Sequence, residues 1–194
     1  MTIEVGLTDR EIVRVARNMI AEVGVEGLSM RRLSAKLGVA LGATYHHVPT
    51  KHRLLVLVGQ DLYGELTADL LRVGGRWDVR LKAFMIEVAT VVSRHPGMAN
   101  FLMANLDEVV PTDLNGVIVD ILTDAGFAGD SVAAVLSALF FFATGMSAGS
   151  SSAGSAKAFA DVDVGGLFEA GLDMLLTGAR ARLADDRRVR RATS

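Results

Sequence analysis

Cysteine is missing from the 194-residue chain, and it holds only three prolines and one tryptophan. Without thiols there can be no disulfide framework, thiolate zinc centre, iron–sulfur cluster or cysteine nucleophile, and a reducing compartment fits. A Walker loop, a nucleophile elbow and a dinucleotide fingerprint are also absent, so no enzymatic activity and no cofactor are expected. The neighbours Asp107 and Glu108 would diverge on a helix, and Asp61 and Glu65 read as a solvated face. The first ten residues carry Glu4, Asp9 and Arg10 without an apolar run, so a signal peptide is not expected. Val132–Met146 is the densest apolar stretch, but its 15 residues fall short of the ~20 a membrane span needs. It leads into a Ser/Gly/Ala segment with no aromatic or basic anchors, so a buried or interface helix is expected instead.

Apolar residues make up 51% of the sequence, enough for a substantial core. The net charge of −2 hides an asymmetry. Residues 1–53 hold 8 Lys/Arg against 5 Asp/Glu, residues 54–183 hold 8 against 15, and residues 184–194 hold 4 against 2. A basic N-terminal quarter ahead of an acidic body suggests that one end meets a polyanion.

Helical periodicity recurs along the whole chain, and no strand-like alternation of useful length competes with it. Thr8 and Glu11 form a capping box for a first helix with Ile12, Ala16, Met19, Ile20 and Val23 on one face, stopped at Gly24. Ser29 caps a short second helix that Gly38 ends, and a third element runs from about Ala40 to Val48 before Pro49. Thr50 caps a fourth helix that fails near residues 73–75, and Asp78 is expected to cap a fifth, ended by His95-Pro96-Gly97. Shorter helices are expected over 99–106 and 113–125, then the apolar helix after Asp130. A Ser/Gly/Ala loop over 149–161 and a last helix through Leu183 follow, with a frayed tail over 185–194. The fold class is therefore all-α.

Residues 29–53 form the informative block. Two short helices joined at Gly38-Val39 precede a third with a tight stop, and Arg31, Arg32, Lys36, Lys51 and Arg53 surround them with positive charge. Tyr45, His46 and His47 add polar aromatic groups. A helix-turn-helix reading a major groove and an ordinary αα-hairpin with a solvated basic face both fit that spacing. A metal reading of His46, His47 and His52 fails on direction, because adjacent helical side chains diverge by ~100°, and no metal is expected.

The run from Gly38 through Lys51, with Tyr45, His46, His47 and Pro49 in register and Leu54-Leu55 after it, closely resembles the helix-turn-helix of the tetracycline-repressor (TetR) family. The stretch Gly24–Leu33 resembles the family's entry into that motif, and the likeness covers about residues 8–60. It implies a three-helix DNA-binding domain over 1–52 and a larger helical ligand-binding and dimerisation domain over 53–194. It implies that Arg31 reaches a base edge or phosphate, and that Leu41, Gly42 and Ala43 line the exposed front of the recognition helix. Tyr45 and His46 would then contact DNA, His47 would pack or touch the backbone, and Lys51 would bind phosphate beside a helix N-terminus. Ala40 stands where the family commonly has a Ser-type cap, Thr44 where Leu is usual, Val48 where Phe is usual and His52 where Glu is common. With no hydrogen-bonding side chain at 41–43, base readout would rest on thymine methyls and on Arg31, Thr44 and His46.

In the C-terminal body, Val132, Val135, Leu136, Leu139, Phe140 and Ala143 form one stripe of the apolar helix, and Ala134, Ala138, Gly145 and Gly149 a second, narrower one. A helix apolar on two sides must be covered on two sides, so this helix and the last one are expected to build a homodimer interface. His95, Asn100, Phe101, Asn105, Phe141 and Thr144 are expected to line a pocket for a small apolar or amphipathic effector. The expected function is a cytoplasmic, nucleoid-associated transcriptional repressor that binds a palindromic operator in double-stranded DNA. The alternative is a helical binding protein whose basic N-terminus contacts a protein or membrane surface.

Overall fold

A computed structural model describes residues 7–151 and 163–193, all helical apart from short connections. The helices are α1 (Asp9–Gly27), α2 (Met30–Leu37), α3 (Leu41–His47), α4 (Lys51–Arg72), α5 (Trp77–Ser93), α6 (Met98–Ala104), α7 (Leu106–Val109), α8 (Thr112–Ala125), α9 (Gly129–Ser151) and α10 (Val164–Thr193). Two compact units result: residues 1–63 with 92–110, and residues 64–91 with 111–194. The division expected at 52/53 thus falls inside α4, and α4 and α5 each contribute to both units.

In the first unit the caps work as the side-chain chemistry dictates. Thr8 Oγ1 accepts from the Glu11 amide, Ser29 Oγ from Arg32 and Thr50 Oγ1 from Arg53, at 3.2, 3.3 and 3.0 Å. Ala40 offers α3 no side-chain cap. Ile12, Ala16, Ile20, Leu33, Val48 and Leu54 are fully buried and form the core of the three-helix head. α1 carries a break at Gly24, whose φ of +71° only glycine adopts without strain. The single helix expected over 99–106 is two short ones, α6 and α7, separated at Asn105.

In the second unit α9 packs along α10, with Val135, Leu139, Leu172, Leu176 and Ala179 buried. The rings of Phe142 and Phe168 stack at 5.2 Å. A methyl group on Gly171 would stand 2.6 Å from the Phe142 ring, so the missing side chain lets that ring lie against α10. Asp78 departs from expectation. It lies within the first turn of α5, buried, and binds both Arg180 (2.7 Å) and Arg76 (2.9 Å). Burial pushes its carboxyl pKa up, but the two guanidinium groups outweigh it and hold the group below the usual range.

The tail departs too. α10 continues to Thr193, and its last turns hold the α8–α9 connection. Asp186 accepts from the Ala128 amide at 2.9 Å, while Arg187 and Arg190 donate to the carbonyls of Ala125 and Phe127 at 2.8 and 3.0 Å. Arg187 satisfies a carbonyl that the C-terminus of α8 leaves open and Arg190 one in the connection after it, a stabilising use of side chains that were expected to fray. The Ser/Gly/Ala loop expected over 149–161 lies mostly outside the described residues. Among the described residues, no helix is long and apolar enough to cross a membrane, and no group of three His, Asp or Glu could hold a metal ion.

Candidate nucleic-acid interface

The turn between α2 and α3 depends on Gly38, left-handed at φ +71° and ψ +25°, whose amide and that of Val39 return to the carbonyls of Ala35 and Ser34. α3 has only seven residues, so each side chain has a clear direction. Leu41 and Tyr45 are 41% and 43% exposed. Gly42 and His46 are exposed and Ala43 is half-buried. Nothing lies within 4 Å of the place a methyl group on Gly42 would occupy. Leu41, Gly42, Tyr45 and His46 therefore form the open front of α3.

Thr44 stands elsewhere than its proposed role requires. It is fully buried, and its hydroxyl lies 2.7 Å from that of Ser34, which also donates to the Met30 carbonyl at 2.9 Å. Position 44 is on the back of the two-turn helix, and a hydroxyl there holds α3 to α2 instead of facing a base. His47 is half-buried, its Nδ1 2.7 Å from a carboxylate oxygen of Asp9 at the start of α1. That contact ties the end of α3 to the first helix.

The basic residues divide. Arg31, Arg32, Lys36 and Arg53 are all exposed, and two of them make contacts within the head. Arg32 donates to the Gly27 carbonyl at 2.7 Å and Lys36 pairs with Glu22 at 2.7 Å. Lys51 Nζ donates to the Val25 carbonyl at 2.7 Å. The exposed front of α3, with Arg31 exposed on α2, is a shape suited to a major groove; Arg32, Lys36 and Lys51 brace the head.

Sequence reasoning missed the junction behind Lys51. The Val25 amide donates to the Pro96 carbonyl at 2.9 Å. A methyl group on Gly24 would meet that carbonyl oxygen at 3.2 Å, and one on Gly97, with φ of +85°, would meet Val25 Cβ at 3.0 Å. Paired glycines at two turns were the only local sign that two chain segments approach this closely.

The six residues expected at an effector pocket are spread. His95 is buried, Asn100 exposed, and Phe101 half-buried with its ring 5.5 Å from that of His52. Asn105 Nδ2 donates to the Phe101 carbonyl at 2.7 Å. These four belong to the first unit. Phe141 belongs to the second and is exposed, while the side chain of Thr144 lies outside the described residues. Along α9 and α10 runs an open apolar groove of about 280 Å³ lined by Ala134, Ala138, Leu175, Gly178 and neighbours, with Met174 76% exposed at its side. It contains two of the small residues singled out in the narrow stripe.

Residues 12–58 match the family model described as bacterial regulatory proteins, tetR family. The HTH-type transcriptional repressor DrrR1 of Streptomyces coeruleorubidus is 37% identical over 92 residues, which cover 46% of this chain and 33% of that protein. The chain thus spans about a third of that relative's length. Two solved structures cover nearly the whole chain. TetR from Acinetobacter baumannii AYE has a TM-score of 0.75 at 22% identity, with 91% of this chain and 99% of that chain covered. The Streptomyces coelicolor TetR family protein ActR in complex with (S)-DNPA has a TM-score of 0.70 at 23% identity, with 90% and 98% covered. At that identity the two structures speak for the fold.

Proposed function

We propose that this chain is a transcriptional regulator of the TetR family, working as a homodimeric repressor of a palindromic operator in the cytoplasm. Each subunit places α3 in the major groove of one half-site, the half-sites lying ~34–36 Å apart or a multiple of that. The observation that carries this reading is the front of α3, where Leu41, Gly42, Tyr45 and His46 are open while Thr44 and His47 lock its back and end. Leu41 and Ala43 suit thymine methyls, Tyr45 and His46 suit phosphates or base edges, and Arg31 suits either. The alternative of a protein- or membrane-contacting N-terminus explains neither the locked back of α3 nor its open front.

The apolar groove between α9 and α10 supports the dimer, because exposed small and apolar side chains on two long helices suit a second copy of the same pair. A small apolar or amphipathic effector would stabilise a conformer whose half-site separation is wrong and so release DNA. The ActR complex with (S)-DNPA supports an effector on this fold; His95, Asn100, Phe101, Asn105, Phe141 and Thr144 remain the proposed contacts. Selection of duplexes from a random pool tests the DNA reading. An enriched inverted repeat supports it, and an unenriched pool at low and moderate salt contradicts it.

A further inference from the structure

Lys51 is the residue whose surroundings fit its implied role least well. Its ammonium does not project freely; it donates to the Val25 carbonyl at 2.7 Å from a half-buried position at the start of α4. The same carbonyl accepts from the Leu28 amide at 3.3 Å, and the amide of Val25 donates to the Pro96 carbonyl at 2.9 Å. The backbone of one residue thus joins three segments: the end of α1, the first residue of α4, and the turn between α5 and α6. Gly24 and Gly97 flank the joint, and neither position has room for a side chain without displacing Pro96 or Val25.

We propose that Lys51 is a positioning residue for DNA binding, acting through Val25 on the orientation of the three-helix head and not by neutralising a phosphate. The inference rests on the DNA-binding reading and assigns this residue a different part in it. α1 carries the head, because α2 packs on α1 and α3 on α2. A joint at the end of α1 therefore sets where the front of α3 lies with respect to the start of α4. It also gives the 95–97 turn a direct backbone connection to the head, so that movement of the turn is felt at Val25 without passing through a side chain.

A phosphate contact and a positioning contact leave different signatures. Removing a cation that neutralises one phosphate reduces the slope of log affinity against log salt by about 0.9. Removing a positioning contact weakens binding equally at every salt concentration. Two residues acting on one peptide are also non-additive, whereas independent ones add.

The experiment compares wild type, K51M, K51R, G97A and K51M/G97A on the duplex that the wild-type chain selects from random DNA, across a salt series. Circular dichroism verifies folding, and K51Q replaces K51M if the latter does not fold. K51M is expected to lose about tenfold in affinity with an unchanged slope, and K51R, which keeps a donor, to retain most of it. G97A should mimic K51M, and the double variant should be no weaker than the weaker single one. The thermal midpoints should show the same non-additivity, a readout that needs no DNA. A slope reduced by about 0.9 in K51M, or losses that multiply in the double variant, would overturn the proposal. Wild type selecting no duplex would contradict the DNA-binding reading instead, and the thermal cycle would still decide whether Lys51 and Gly97 act on one joint.

Discussion

The hydroxyls of Ser34 and Thr44 meet at 2.7 Å in the buried contact between α2 and α3. Both residues are almost wholly shielded from water, so each satisfies a polar group that would otherwise be stranded. Changing Thr44 to Val leaves the Ser34 hydroxyl with only the Met30 carbonyl, and should cost about 1–2 kcal/mol. Combining Thr44→Val with Ser34→Ala should cost less than the two single changes added together, because Ser34→Ala alone strands the Thr44 hydroxyl whereas the double variant has no hydroxyl there to strand. Urea unfolding of the two singles and the double measures the coupling; simple additivity would argue against a shared bond.

Gly42 predicts a conflict between stability and binding. Alanine there meets no atom within 4 Å and should favour the helix by up to about 1 kcal/mol. The methyl group would stand on the face proposed to meet DNA, where close approach would be needed. Gly42→Ala should therefore raise the melting temperature and lower operator affinity, as read by calorimetry and by duplex titration.

Asp78 should shape the acid side of the stability curve. Its carboxyl is held below the ordinary range by Arg180 and Arg76 against the opposing effect of burial. A depressed folded-state pKa contributes stability that is complete above the unfolded value, about 3.9, and is lost as pH falls through the folded one. Asp78→Asn should cost about 1–3 kcal/mol at neutral pH, since Arg76 and Arg180 can return to water. It should also flatten the fall in stability below about pH 4. Denaturant melts from pH 3 to 7 read both effects.

Ala138 lies in the groove between α9 and α10. If a second copy covers that groove, Ala138→Arg places an unpaired charge in an apolar contact and should convert dimer to monomer. Light scattering behind a sizing column gives the mass directly, and an unchanged dimer would place the interface elsewhere.

The helices and their order were legible because each carries a local signal. Thr8, Ser29 and Thr50 cap as their side-chain chemistry requires, and Gly24 and Gly38 mark breaks with positive φ. The likeness of residues 29–53 to a known reader of DNA was legible for the same reason. The burial of Thr44 was not, since a seven-residue helix is too short for periodicity to define its inner face. Asp78 read locally as a cap, yet its partner Arg180 is 102 positions away. The tail read as polar and frayed, but Asp186, Arg187 and Arg190 find partners on the α8–α9 connection 58 to 63 residues earlier. The resemblance implied a phosphate for Lys51, and nothing near it in sequence announces the hydrogen bond its ammonium donates to the Val25 carbonyl. Contacts of this kind are properties of the folded chain.

Titration of the purified protein with duplexes enriched from a random pool, at two salt concentrations and against unrelated competitor DNA, tests the central claim most directly. Saturable binding to an inverted repeat that survives competitor, weakens steeply with salt and occurs at two subunits per duplex is the predicted result. Binding that never exceeds that of the competitor at either salt would contradict a sequence-specific regulator.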